Sequence, residues 1–105
     1  MMCGDGGRMI VHVFLFKWKK DVKKKDIDAI FADIEKLRSL PGLIGMRYGE
    51  DFSGYAKGHT HALVVSFKDK RSLNNYMNDP LHKKIIKKIT VCEESSLGAD
   101  FVAKK

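Results

Sequence analysis

The chain has 105 residues, of which 44% are hydrophobic and 31% charged, with twenty Lys and Arg against thirteen Asp and Glu for a net charge of +7. That length makes one domain, the composition is that of a soluble globular chain, and no apolar run approaches the ~20 residues that cross a bilayer. The charge invites a nucleic-acid partner, but Lys83, Lys84, Lys87 and Lys88 alternate with Ile85, Ile86 and Ile89 as the wet face of an amphipathic helix, and no aromatic residues interleave with exposed basic ones to stack bases.

Residues 1–8, with Gly4, Gly6 and Gly7, read as a flexible leader without the apolar segment of a secretory signal, and the folded domain spans 9–103. Cys3 in that leader and Cys92 near the other end suggest free thiols in a reducing, cytoplasmic compartment. Met9 to Trp18 is a strand rich in β-branched and aromatic residues. Its period of two puts Ile10, His12, Phe14, Phe16 and Trp18 on one face and Val11, Val13 and Leu15 on the other. Both faces are apolar, so both need covering.

From Asp26 to Leu40 the period changes: Ile27, Ile30, Phe31, Ile34 and Leu37 recur at three- and four-residue spacing, as on a helix ended by Pro41-Gly42. Leu43 to Glu50 is a second strand, Asp51 to Gly58 a loop, and His59 to Phe67 a third strand with His61, Leu63, Val65 and Phe67 on one face. Asp69 to Asn78 is helical, with Leu73, Tyr76 and Met77 as its stripe. Asp79-Pro80 interrupts it, because the residue before proline is driven out of the α region; Asp is also a good N-cap and Pro suits a first helical turn, so a new helix starts there and runs to about Ile89. Cys92 to Gly98 reads as irregular and Ala99 to Ala103 as a short last strand.

The order β-α-β-β-α-β is that of an α+β, ferredoxin-like antiparallel sheet with helices on one face. Connection rules place the first and third strands side by side in the middle. The face with Val11, Val13, Ala62 and Val64 then needs a partner, and a second copy packing sheet to sheet is the simplest one.

On the helix side, His12 and His61 project from neighbouring strands, while His82 lies on the buried stripe of the last helix with Ile85, Ile86 and Ile89. The Asp79-Pro80 break lets Tyr76 face the same space. At about the third helical position, His82 meets the positive end of the helix dipole, which keeps it neutral and able to accept a proton. The Tyr76 hydroxyl can then bind a substrate oxygen. The alternative is that His12 and His61 are core histidines, bonded to each other or to backbone, with His82 capping its own helix. No metal or other cofactor is implied, since there is no helical His pair at four-residue spacing and His59-Thr60-His61 starts at a strand mouth. Cys92 has no partner motif for nucleophilic catalysis.

Ile10-Val11-His12-Val13-Phe14-Leu15-Phe16-Lys17, Leu40-Pro41-Gly42, Gly49, His61 to Phe67, Tyr76 to Lys83 and the closing Asp100-Phe101 together resemble the stress-responsive dimeric α/β-barrel (Dabb) family. The resemblance covers about residues 9–103 and implies two ferredoxin-like subunits packed sheet to sheet. A plant polyketide cyclase of that family uses a Tyr/His pair at positions matching Tyr76 and His82, with strand histidines matching His12 and His61. A further pocket tyrosine of that cyclase falls here on Asp33 or Ile34.

The expected function is a pocket for a small apolar carbonyl or phenolic compound, walled by Phe14, Phe16, Ile34 and Leu63, with His82 as base and Tyr76 as oxygen donor. His12 and His61 would orient the ligand. The competing readings are a non-enzymatic stress-induced dimer and, behind it, a cofactor-free monooxygenase of the related barrel type.

Overall fold

Eight segments follow one another along residues 8–104, the part of the chain that the computed structural model describes. They are strand β1 (Ile10–Trp18), helix α1 (Lys24–Glu35) with a 3-10 turn at Lys36–Ser39, strands β2 (Leu43–Glu50) and β3 (His61–Phe67), helices α2 (Lys70–Asn78) and α3 (Pro80–Cys92), and strand β4 (Glu93–Val102). The strands form one antiparallel sheet of order β2-β3-β1-β4, the ferredoxin-like arrangement, with β1 and β3 in the middle. The first seven residues of the expected leader, Cys3 among them, lie outside the described residues.

The register sorts the side chains into rows across the sheet. On the helix side one row runs Met46, Val65, His12, Asp100, the next Tyr48, Leu63, Phe14, Gly98, and the next Glu50, His61, Phe16, Ser96. Phe16, Val65 and Phe67 from the strands meet Ile34 and Leu37, and all five are essentially sealed from solvent. The other face carries the rows Ala62, Leu15, Leu97 and Val64, Val13, Ala99. None of the described residues covers it: Leu97 and Phe101 stay at 59% and 50% exposure.

Several boundaries differ from expectation. α3 continues to Cys92 and β4 starts at Glu93, so the segment read as irregular is strand. β4 is an edge strand exposed along almost its whole length; backbone pairing with β1 holds it, and its side chains show no apolar alternation. The last turn before Leu40 tightens to 3-10 geometry, and β3 begins at His61 instead of His59.

Two local devices set the helices that matter for the site. Gly42 sits at φ +82, and a Cβ there would overlap Oγ of the buried Ser72 on α2. Gly42→Ala is therefore expected to lower stability by about 2 kcal/mol or more, read by denaturant unfolding. Asp79 ends α2 and caps α3 at once: in extended conformation, its side chain accepts the Leu81 N–H at 2.8 Å, and Pro80 opens α3.

Candidate functional site

The turn at Asp79 lets two helices aim at one space. Tyr76, in the last turn of α2, and His82, in the first turn of α3, bring their ring centroids to 4.4 Å. The Tyr76 ring also stands 6.0 Å from His12 and 5.0 Å from Phe67. A cavity of about 50 Å³ opens between these helices and the sheet. His12, Phe14, Phe16, Ile34, Leu63, Tyr76 and His82 line it, as do Leu37, Met77, Ile85, Ile86 and Ile89. Met77 and Ile86, at 43% and 37% exposure, form its mouth.

His61 is not part of this cavity. It faces the helix side, as its parity requires, but pairs with Phe16, while His12 pairs with Val65 four residues along β3. At about 3.3 Å per residue that places the two histidines roughly 13 Å apart along the strand. The expected convergence of three histidines thus reduces to two. His61 instead stacks on Phe31, its Nδ1 accepts the Trp18 indole N–H at 3.1 Å, and the Thr60 hydroxyl lies 2.8 Å from the same nitrogen. Its Nε2 stands 3.7 Å from Glu50, so His61 belongs to a separate packed cluster at the far end of the sheet.

Asp100 is the residue that sequence reasoning missed. Its carboxylate accepts from His12 Nδ1 at 2.5 Å, straight across the β1–β4 ladder. This bond puts the His12 proton on Nδ1 and fixes the ring, leaving Nε2 for the cavity. The signal was available in the closing Asp100-Phe101 pair, but only a register for β4 connects it to His12.

The electrostatics separate donor from acceptor. Burial pushes the Tyr76 hydroxyl up to about 12, so it remains a neutral donor at any physiological pH. Burial, then the neighbouring His12, lower His82 below its ordinary 6.5, against smaller opposing effects of the Met77 backbone and Asp79. His82 is 6% exposed, and its Nδ1 is buried without a hydrogen-bond partner among the described residues. The arrangement is a neutral base, a neutral oxygen donor and a carboxylate-held imidazole around a small apolar space.

The lowered His82 value has a consequence for folding. Above pH 6.5 the ring is neutral both folded and unfolded; as pH falls below 6.5, the unfolded chain binds the proton first and stability declines until the folded ring titrates too. His61 is lowered by burial and adds to the same trend. Chemical denaturation of the wild type from neutral to mildly acid pH is therefore expected to show a steeper loss than that of His82→Leu.

The family model described as Stress responsive A/B Barrel Domain matches residues 10–103. No curated protein matches the chain. Among solved structures, the hydroxynitrile lyase from Passiflora edulis superposes with a TM-score of 0.86 at 22% identity, covering 92% of this chain and 94% of that one. A dimeric ferredoxin-like protein of unknown function from Thermobifida fusca gives 0.81 at 21%, covering 92% of both chains. SnoaB, a cofactor-independent oxygenase from Streptomyces nogalater, gives 0.76 at 12%, covering 92% of this chain and 94% of that one. At such identities the likeness shows the fold alone. Among the described residues no helix is long and apolar enough to cross a membrane.

Proposed function

The chain belongs to the stress responsive A/B barrel domain family, and from that premise we propose that its cavity binds a small carbonyl compound and moves a proton on it. His82 takes a proton from the carbon beside the carbonyl, Tyr76 donates a hydrogen bond to the oxygen as negative charge develops there, and the proton then returns to carbon or to oxygen. His12, steadied by Asp100, orients the ligand through Nε2. The observation that carries this reading is the His82 ring, which lines an apolar cavity with its proton affinity lowered by burial, 4.4 Å from the ring of Tyr76.

Size narrows the ligand class. A cavity of about 50 Å³ is well below the ~150 Å³ that accepts benzene, so a carbonyl group with a few carbons fits where a phenol ring does not. Two of the structures with this fold are enzymes, one named a lyase and one a cofactor-independent oxygenase, and they support the choice of catalysis over passive packing.

The uncovered sheet face supports a homodimer. Val11, Val13, Leu15, Ala62 and Val64 are only half-buried in the single chain, and relatives of this fold are described as dimeric. We place the dimer in the cytoplasm on the free thiol of Cys92. A second reading, a non-enzymatic stress-induced dimer with a protective role, draws on the tight core around the cavity, where Ile34 and Leu37 are almost fully buried.

Titration of the protein with butanone, followed by the imidazole signals of His82 and His12, separates the two readings. Saturable shifts that vanish in Tyr76→Phe support the carbonyl site, and unchanged imidazole signals at high butanone favour the protective dimer. Asp100→Asn is expected to slow proton abstraction from butanone by about tenfold to a hundredfold while leaving its affinity near wild type, because it loosens the His12 ring and leaves the apolar walls as they are.

A further inference from the structure

We propose that the groove between α2 and the β1–β4 edge of the sheet holds the tail of the same ligand, which makes that ligand a medium-chain oxo acid. The inference rests on reading the cavity as the carbonyl site and extends it outward. Lys70, Leu73, Asn74 and Met77 share one face of α2 at positions i, i+3, i+4 and i+7, and they look across the groove at Ile10 and Val102. Its volume is about 470 Å³, within the usual range for small-molecule sites, whereas the inner cavity is too small for more than a functional group.

The two spaces share a wall. Met77 lines both, and Asp100 borders the groove while its carboxylate grips His12 on the cavity side. A chain leaving the cavity past Met77 therefore enters the groove without crossing another element.

The charges give the groove a direction. Asp100 stands at the inner end and repels an anion. Lys70 stands at the outer end and forms no ion pair among the described residues. Seven residues separate Met77 from Lys70, about 10.5 Å along the helix axis. At ~1.2 Å per bond of an extended chain, the span takes about eight or nine bonds. A carboxylate at the end of such a tail reaches Lys70 from Met77, and the carbonyl group that precedes the tail lies farther in, beside His82.

Calorimetric titration of the full chain at low salt tests the groove with nonanoate, nonanol and butanoate. Nonanoate is expected to bind more than tenfold tighter than butanoate, since each added methylene buries apolar surface. It should also exceed nonanol by about fivefold, a preference lost in Lys70→Gln and at high salt. Asn74→Trp, at an exposed position that fills the groove, should weaken nonanoate and nonanol alike by more than tenfold. Butanone reports on the cavity alone. Butanone binding lost with nonanoate binding intact sinks the carbonyl reading but not the groove, and the reverse sinks the groove alone. Equal nonanoate affinity in the wild type, Lys70→Gln and Asn74→Trp overturns the proposal. So does a groove that takes no nonanoate and whose filling by Asn74→Trp changes the oligomeric state, a result that assigns it to a second copy.

Discussion

His82→Leu is expected to yield a more stable protein that no longer moves a proton on a carbonyl compound. The imidazole is buried with Nδ1 unpartnered, so it carries a desolvation cost that a leucine does not. Its neighbours Leu37, Ile85 and Ile89 accept an aliphatic side chain. Removing the orphaned nitrogen is expected to stabilise the fold by about 1 kcal/mol, which for a chain of this size raises the melting temperature by roughly 4–8 °C. Loss of a positioned general base removes about 10²–10⁴ in rate. Thermal melting and a proton-transfer assay on the same sample read both effects. A variant that melts lower and keeps its activity contradicts the assignment on both counts. A histidine whose removal stabilises the protein is difficult to explain as a packing residue, and this distinguishes the site from the protective-dimer reading.

Val13→Asp is expected to abolish the proposed homodimer. Val13 lies at the centre of the uncovered face, between Val64 and Ala99 in its row and flanked along β1 by Val11 and Leu15. In a two-fold interface the same patch meets itself, so one substitution places two carboxylates in a dry sheet-to-sheet contact. An unpaired buried charge costs about 3–5 kcal/mol, and every 1.4 kcal/mol is tenfold in affinity, so dimerisation weakens by more than a hundredfold. Sedimentation velocity at micromolar protein should show a dimer for the wild type and a monomer for the variant. The monomer is also expected to be less stable, because the face with Leu97 and Phe101 returns to water. A variant that sediments as a dimer moves the interface elsewhere, and a wild type that sediments as a monomer removes the dimer altogether.

Much of the architecture was legible because it is written in local chemistry. The two-faced apolar pattern of β1 implied a central strand needing cover on both sides, and β1 lies inside the sheet with one face under helices and the other uncovered among the described residues. Asp79-Pro80 was legible for the same reason. A cap and a first-turn proline act within a few residues, and they set Tyr76 against His82. Register is not local. The parity of His61 correctly put it on the helix side, but nothing in the sequence said that it would stand four residues from the row of His12. Asp100 was hidden for a related reason: it sits on an edge strand exposed on both faces, where no hydrophobic alternation marks the strand, and its meaning comes entirely from the residue opposite. The sequence reading found the floor and one wall of the cavity and misjudged which polar groups share it.

His82 and Tyr76 are proposed to act together as base and oxygen donor in a small apolar cavity. Hydrogen–deuterium exchange at the α-carbons of butanone, followed by NMR in deuterated buffer, tests it without knowledge of the natural substrate. Exchange in the wild type is expected to exceed the buffer rate and to persist just below pH 6.5, where burial favours neutral His82, and to fall at least about a hundredfold in His82→Gln and markedly in Tyr76→Phe. Exchange at the buffer rate in the wild type, or equal acceleration by all three proteins, contradicts it.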